Sequence, residues 1–340
     1  MYLYSFHHYT PKVFGCLAFI VNPIFVYLVF TDTKAKFGNY RFLLLYFAVF
    51  NIFYSISDIV VPIGVHGYRY CFLIFISDGY FVEGSSLNRF VLICRCSMVS
   101  CSYAILVTHF LYRYLIIHRK SFINKHFIWY MLGSFALCAV YFVFWAVMCQ
   151  IFLKDTDDIK EYIHDDFEKA YGGDSHNLNF LASIYQEALD SSVIRSWQGI
   201  AILSTFPLCT ISFYCYMGYK IMSELKKSAV RMSKATSDLQ KRLLAVLAIQ
   251  TIIPICVSFT PCLVCWYAPA FNVDVGKVAN QTVSIALCMF PFFDPVAIIC
   301  CLSSLRDRFI VKCRRVETEH NRNNQPVNNT SSSNTASTSF

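Results

Sequence analysis

Asp58 in "FYSISDIVVP", Arg95 in "VLICRCSMV" and Asp294 in "PFFDPVAII" stand inside long apolar stretches. A charge in hydrocarbon costs about 2.5–3.5 kcal/mol on insertion scales, so each must be met by a partner, by water or by a function. A further charged group, Tyr112-Arg113-Tyr114, closes another such stretch. None of these is a nucleophile with its base, and the GxSxG, HExxH and Walker A signatures are absent. Of 16 cysteines, most lie within apolar runs and read as small hydrophobes. The single CxxC, Cys262 and Cys265, has no second ligand pair, so no structural zinc site is expected. The chain reads as non-enzymatic, with no cofactor. Its chemistry is the holding and releasing of charge inside a membrane.

The surrounding composition supports that reading. The 340 residues are 56% hydrophobic and 15% charged, against about 25% charged in soluble domains. The formal net charge is +8, but the basic residues fall between apolar runs rather than in one patch, so no nucleic-acid partner is expected and a lipid bilayer is. Seven runs are long enough to span, at roughly 20 residues each: Val13–Phe30, Phe42–Val65, Phe90–Tyr112, Phe127–Phe152, Ile200–Ile221, Leu243–Trp266 and Gln281–Leu302. Helices are favoured because a lone span must satisfy its own backbone, and the alternation of a membrane barrel strand is absent. The first run lacks the basic flank and cleavage site of a signal peptide and reads as an uncleaved span. Cys71–Tyr80 is apolar but too short to cross. It reads as outer loop or as an extension of the second or third helix; were it a span, the topology would change.

Charge sets the orientation. The segments after runs 1, 3, 5 and 7 hold 20 of the 29 Lys and Arg, and those on the other side hold 8. The positive-inside rule then places the N-terminus outside and the C-terminus in the cytoplasm. The expected fold is an all-α seven-transmembrane helix bundle spanning residues 13–302. Residues 1–12 form an extracellular N-terminus, 303–316 an amphipathic helix on the inner leaflet and 317–340 a disordered cytoplasmic tail. Cys300, Cys301 and Cys313 are candidate palmitoylation sites beside that helix. The outer loop Leu153–Gln198 is long and acidic. It reads as a solvated loop, or more sharply as a cation-attracting vestibule or ligand lid.

Depth pairs two of the charges. Asp58 lies 17 residues above Arg41, about 25 Å at helical rise. Arg95 lies 18 residues above Arg113, about 27 Å. They either pair and shape an outer ligand cavity, or each reaches outer water alone. Asp294 falls near mid-membrane between Pro291 and Pro295, and Pro254 and Pro261 interrupt the sixth run. Proline removes a helical hydrogen bond and permits a hinge. These five residues read as an activation switch, the alternative being a static kink with a locally satisfied Asp294. Arg113 at the inner mouth of the third helix is either an anchor snorkelling to phosphates or a coupling residue.

Several stretches resemble one family. "FGNYRFLLLYFAVFNIFYSISDIVVP", "THFLYRYLIIHRK", "LQKRLLAVLAIQTIIPICVSFTPC" and "PFFDPVAIICCLSSLRDRF" are similar to the Str superfamily of nematode serpentine chemoreceptors, which are seven-transmembrane G-protein-coupled receptors. The motifs are Gly38-Asn39-Tyr40, Gln250-x-x-x-Pro254, and Asp294-Pro295 with Arg306 beyond. The resemblance implies an olfactory-type receptor for a small-molecule odorant or related cue, located in the plasma membrane at a sensory-neuron cilium. A heterotrimeric G protein would be its partner, met at Tyr112, Arg113 and Tyr114. Tyr112 stands where the wider receptor superfamily carries an acid, so an ionic latch from that position to Arg113 is impossible. No cysteine lies between Cys149 and Cys209, so the long outer loop cannot supply the disulfide many such receptors have. Cys71 and Cys149 are the outer pair that remains, and nothing in the spacing favours their bonding. A seven-span ligand-gated channel or transporter is the rival class; it predicts an internal repeat or charged pore line, and neither is clear here.

The charge asymmetry makes a direct prediction. On intact cells an epitope after Met1 is labelled and one after Phe340 is labelled only after permeabilisation. Surface labelling of the C-terminal epitope reverses the topology.

Overall fold

The computed structural model describes residues 2–31, 37–228, 234–302, 305–312 and 314. Helix α1 runs Tyr2–Thr31, α2 Tyr40–Val60, α3 Ser86–His118, the short α4 Lys120–Lys125, and α5 Phe127–Phe152. After a folded loop come α7, Asp190–Ser228, and α8, Lys234–Pro254. The chain continues from α8 through one π turn, Ile255–Phe259, into α9, Thr260–Tyr267; α10 is Gly276–Cys301. Six helices among the described residues are long and apolar enough to cross a membrane. The remaining span, sixth in chain order, is the composite of α8, the π turn and α9. A π turn carries one extra residue in the hydrogen-bond ring, and it sits between Pro254, whose missing N–H frees the Gln250 carbonyl, and Pro261.

The spans differ in what surrounds them. Of the apolar window of α3, 67% is buried inside the protein, against 11% for α5. Helix α3 is therefore an axis of the bundle, and α5 lies against lipid. Helix α1 begins at Tyr2, so residues 2–12 are helical and continuous with the first span. Residues 305–312 are helical, with Leu305 buried and Phe309 and Ile310 exposed. Cys313 and the tail 317–340 lie outside the described residues.

Two sequence expectations fail at the end of the bundle where α1 starts. The second helix stops at Val60, before Pro62, and residues assigned to its end form strand β1, Ile63–Tyr68. Within the segment Cys71–Tyr80, Cys71–Ile76 is strand β2 and no part is helix, while 77–80 is loop. Strand β3, Phe180–Ile184, completes an antiparallel sheet in the order β1-β2-β3. The pairing runs Ile63↔Ile76 to Tyr68↔Cys71 and Cys71↔Ile184 to Phe75↔Phe180. The cause of the misreading is burial on both faces. Phe72 and Ile76 pack into the bundle, whereas Cys71, Leu73 and Phe75 pack outward, so the strand lacks the polar alternate positions that mark a half-buried one.

The outward cover is α6, Asp157–Tyr171, inside the loop read as solvated. Ile159, Ile163 and Phe167 recur at i, i+4 and i+8, one face of a helix, and all three are buried against the sheet. Gly172 ends the helix with φ +72°, a left-handed cap that glycine adopts without a Cβ penalty. Polar contacts hold the lid: His66 Nε2 to Asp166 Oδ2 at 3.0 Å, Arg69 to Glu187 at 2.8 Å, Tyr162 to Glu187 at 2.9 Å, and an ion pair between Arg89 and Asp155. Burial, then the bond to Glu187, pushes the Tyr162 hydroxyl up to about 12, so it stays a donor at neutral pH.

Removing the central anchor should loosen this layer alone. Ile163→Ala costs roughly 2–5 kcal/mol of local packing. Hydrogen exchange is expected to speed up over 157–171 and β3 and to stay unchanged over the middle of α3.

Candidate functional site

Beneath the sheet lies a cavity of about 50 Å³. Its walls include Ile63 and Ile74 from the sheet, Trp145 from α5, Phe259 from the π turn, Trp266 from α9 and Leu287 from α10. No charged side chain among the described residues lines it. Tyr185 donates to the Trp266 carbonyl at 2.8 Å, fixing the end of β3 to the end of α9. Such a site takes a small apolar molecule, and the volume admits little more than one or two waters until the walls move apart. Cys149 lines this cavity and Cys71 sits in β2; both thiols are free.

Beside the cavity wall, Arg95 of α3 donates through Nη2 to Asp58 Oδ1 of α2. The two side chains are 1% and 2% exposed, so neither reaches outer water. The guanidinium lies 4.5 Å from the centre of the Tyr54 ring, which meets Phe290 of α10 edge-on at 4.4 Å. Neither charged residue lines the cavity, although the next residue, Cys96, does. Arg95 Nε and Nη1, Asp58 Oδ2 and the Tyr54 hydroxyl have no hydrogen-bond partner among the described residues.

Near mid-membrane the prolines of α10 shape a second polar group. Pro295 cannot donate to the Pro291 carbonyl four residues earlier. Asn22 of α1 does so instead, at 3.1 Å. Its Nδ2 also reaches the Ala18 carbonyl at 2.9 Å, and Asn51 of α2 donates to Asn22 Oδ1 at 3.4 Å. This is how an intramembrane helix tolerates proline: a neighbouring helix supplies the missing donor. Asp294 is 1% exposed and neither carboxylate oxygen has a partner among the described residues.

The far end of α3 corrects the reading of its triplet. Arg113 is 3% exposed and is not a free tip at a helix mouth. Its guanidinium carbon lies 3.6 Å from the centre of the Tyr40 ring, and Nη1 donates to Gln240 Oε1 of α8 at 3.3 Å. Tyr40 in turn shares a 3.0 Å hydrogen bond with His109 Nδ1. Tyr112 is also buried, stacked on Tyr40 and edge-on to Phe127 and Tyr130. Tyr114 packs on His118. Of the triplet, then, Arg113 and Tyr112 face inward; the Tyr40 ring and the Gln240 amide meet the cation in part, while its Nε and Nη2 have no hydrogen-bond partner among the described residues. The partners Tyr40, His109 and Gln240 escaped sequence reasoning. The motif Gly38-Asn39-Tyr40 was the one available signal: Gly38 takes φ +55° at the turn that starts α2 and delivers Tyr40.

Residues 1–309 match the model of the serpentine type 7TM GPCR chemoreceptor Srj. The chain belongs to the Srj family. Serpentine receptor class J-38 of Caenorhabditis elegans is 42% identical over 300 residues, covering 88% of this chain and 91% of that protein. Serpentine receptor class r-10 of the same organism is 26% identical, covering 87% and 88%. The G-protein coupled receptor str-33, also from C. elegans, is 21% identical over 85% of each chain. The resemblance to the Str superfamily thus narrows to Srj, with a Str-class member among the relatives. Family and fold agree on a seven-transmembrane helical membrane protein of chemoreceptor type.

In this Srj chain the buried ion pair lends itself to a double-mutant cycle. Losing one partner leaves an uncompensated buried charge, typically about 3–5 kcal/mol. Asp58→Ala and Arg95→Ala should each sharply lower the melting temperature of the detergent-solubilised receptor. The double variant should lose less than the sum, and Asp58→Arg with Arg95→Asp should recover part. Strict additivity with no recovery shows that the two side chains act separately.

Proposed function

We propose that this receptor, with its N-terminus outside and C-terminus cytoplasmic, binds a small apolar odorant or related cue in the cavity beneath the sheet and activates a heterotrimeric G protein at the opposite end. The observation that carries the reading is the position of Phe259. It lies within the π turn and also lines the cavity. A ligand that widens the cavity pushes on the one stretch of the sixth span whose backbone is already irregular. Fifteen residues before that turn begins, on the same span, Gln240 clasps Arg113, about 22 Å away at helical rise. Rotation of α8 about the hinge between Pro254 and Pro261 would separate the two and release Arg113 toward the cytosol. The ligand need only favour the open packing over the closed one for the population to shift.

The other residues have roles within this scheme. Asp58 and Arg95 hold α2 to α3 behind the cavity and shape its wall. Pro291, Asp294 and Pro295 form the second adjustable point, where a carboxylate without a hydrogen-bond partner among the described residues sits in α10. Tyr112 and Tyr114 flank the released arginine, while Arg119, Lys120 and Lys125 are already exposed around α4. Cys300 and Cys301 are exposed at the end of α10 and available to acylation. The family resemblance supports plasma-membrane residence at a sensory cilium.

A screen of volatile and soluble odorants on cells expressing the chain, read by calcium or cyclic nucleotide, tests the reading. Ligand-evoked current without any G protein overturns it. With an agonist in hand, Arg113→Ala should lower signalling at equal surface expression and equal ligand binding. Gln240→Leu removes a hydrogen bond to a charged group, worth about 1.5–3 kcal/mol, and should raise agonist-free signalling; an unchanged basal level counts against the clasp.

A further inference from the structure

We infer that the lid carries a divalent transition-metal site formed by His164, Asp174 and His176. His164 stands on α6, and the other two stand on the turn that follows Gly172-Gly173. One ligand atom from each lies within 4.8 Å of the others. His164 Nδ1 and Asp174 Oδ1 are 3.5 Å apart. Two ligands on a tetrahedral zinc, at about 2.0–2.2 Å from the ion, are separated by roughly 3.3 Å. The two imidazoles are close, with ring centres at 5.4 Å, although no hydrogen bond joins them.

The supporting groups favour ligation over an accident of surface crowding. Asp174 is already fixed: Oδ1 accepts from the His176 backbone N–H and Oδ2 from Asn177 Nδ2, both at 2.9 Å. Each histidine also has a second carboxylate at its Nε2 edge, Glu168 at 3.9 Å for His164 and Glu161 at 3.5 Å for His176. A carboxylate behind a ligating imidazole sets its tautomer and raises its basicity. On binding, the His164 proton sits on Nε2, toward Glu168, leaving Nδ1 free for the ion. The present contact of Nδ1 with Ser175 Oγ, at 3.2 Å, is then given up; Ser175 keeps its bond to the Lys160 carbonyl at 3.0 Å. Two imidazole nitrogens and one carboxylate select zinc or copper over magnesium or calcium, which prefer oxygen. The ion would fasten α6 to the turn leading into β3, and so brace the cover of the sheet.

The test uses the full-length purified receptor and zinc chloride alone. Calorimetry should show one zinc per chain, undisturbed by millimolar magnesium or calcium. Hydrogen exchange over 172–177 should slow when zinc is added. His164→Ala and His176→Ala should each weaken binding by at least about tenfold, and the double variant should abolish it. His176 is 43% exposed, so its removal leaves the fold intact, which the zinc-free melting temperature verifies. His126→Ala, in a distant segment, should change nothing. The site is refuted if the wild type binds no zinc, if the double variant retains full affinity, or if His126→Ala is the change that weakens it.

Discussion

A guanidinium buried in a hydrocarbon slab must be met by protein groups, and α3 carries two of them, 18 residues apart. Much of the arrangement of the bundle follows from how each is met. Arg95 has a carboxylate, Asp58, and a ring, Tyr54, on the adjacent α2. Separating that pair would leave an uncompensated charge on both helices, so α2 and α3 are committed to one another there. Among the described residues Arg113 has neutral partners, the Tyr40 face and the Gln240 amide. These cost far less to leave. The same helix is thus pinned strongly at one end and weakly at the other, and the weak end faces the span with the irregular backbone.

The polar groups in α10 and α1 follow the same logic at lower stakes. Proline at 295 creates an unpaired carbonyl, and Asn22 supplies the donor from across the interface. An amide can leave a carbonyl at modest cost, so the join between α1 and α10 is specific without being rigid. The family supplies the context for these features, and the geometry supplies the physical reason each is where it is.

The sequence disclosed the spans well and the roof poorly. Helix α5 spans Phe127–Phe152, the same bounds that hydropathy alone assigns, because a helix facing lipid on most sides is apolar all round. Strand β2 defeated the same measure, since burial on both faces erased its alternation. Helix α6 had a readable face in Ile159, Ile163 and Phe167, but the acidic residues between them dominated the segment. Asp58 and Arg95 could be matched by depth because each helix carries a basic residue at a known edge, Arg41 at the start of α2 and Arg113 near the end of α3. The burial of Arg113 could not be read, since its ring partner lies 73 residues earlier and its amide partner 127 residues later. Only tertiary packing brings the three together.

The roof also fixes an order of assembly during synthesis. Strands β1 and β2 leave the ribosome before α3, and β3 only after α5, Phe180 following Ile76 by 104 positions. At about 5–20 residues per second, translation needs roughly 5–20 s to deliver the third strand. Until then the hairpin is a two-stranded ribbon, marginally stable on its own, with the bare edge of β2 and the apolar stretch "CFLIFI" uncovered. Such an edge readily pairs with other chains. The nascent receptor therefore passes through an interval in which this hairpin is its most vulnerable segment, and protection of the hairpin, rather than insertion of the helices, would limit the yield of folded receptor.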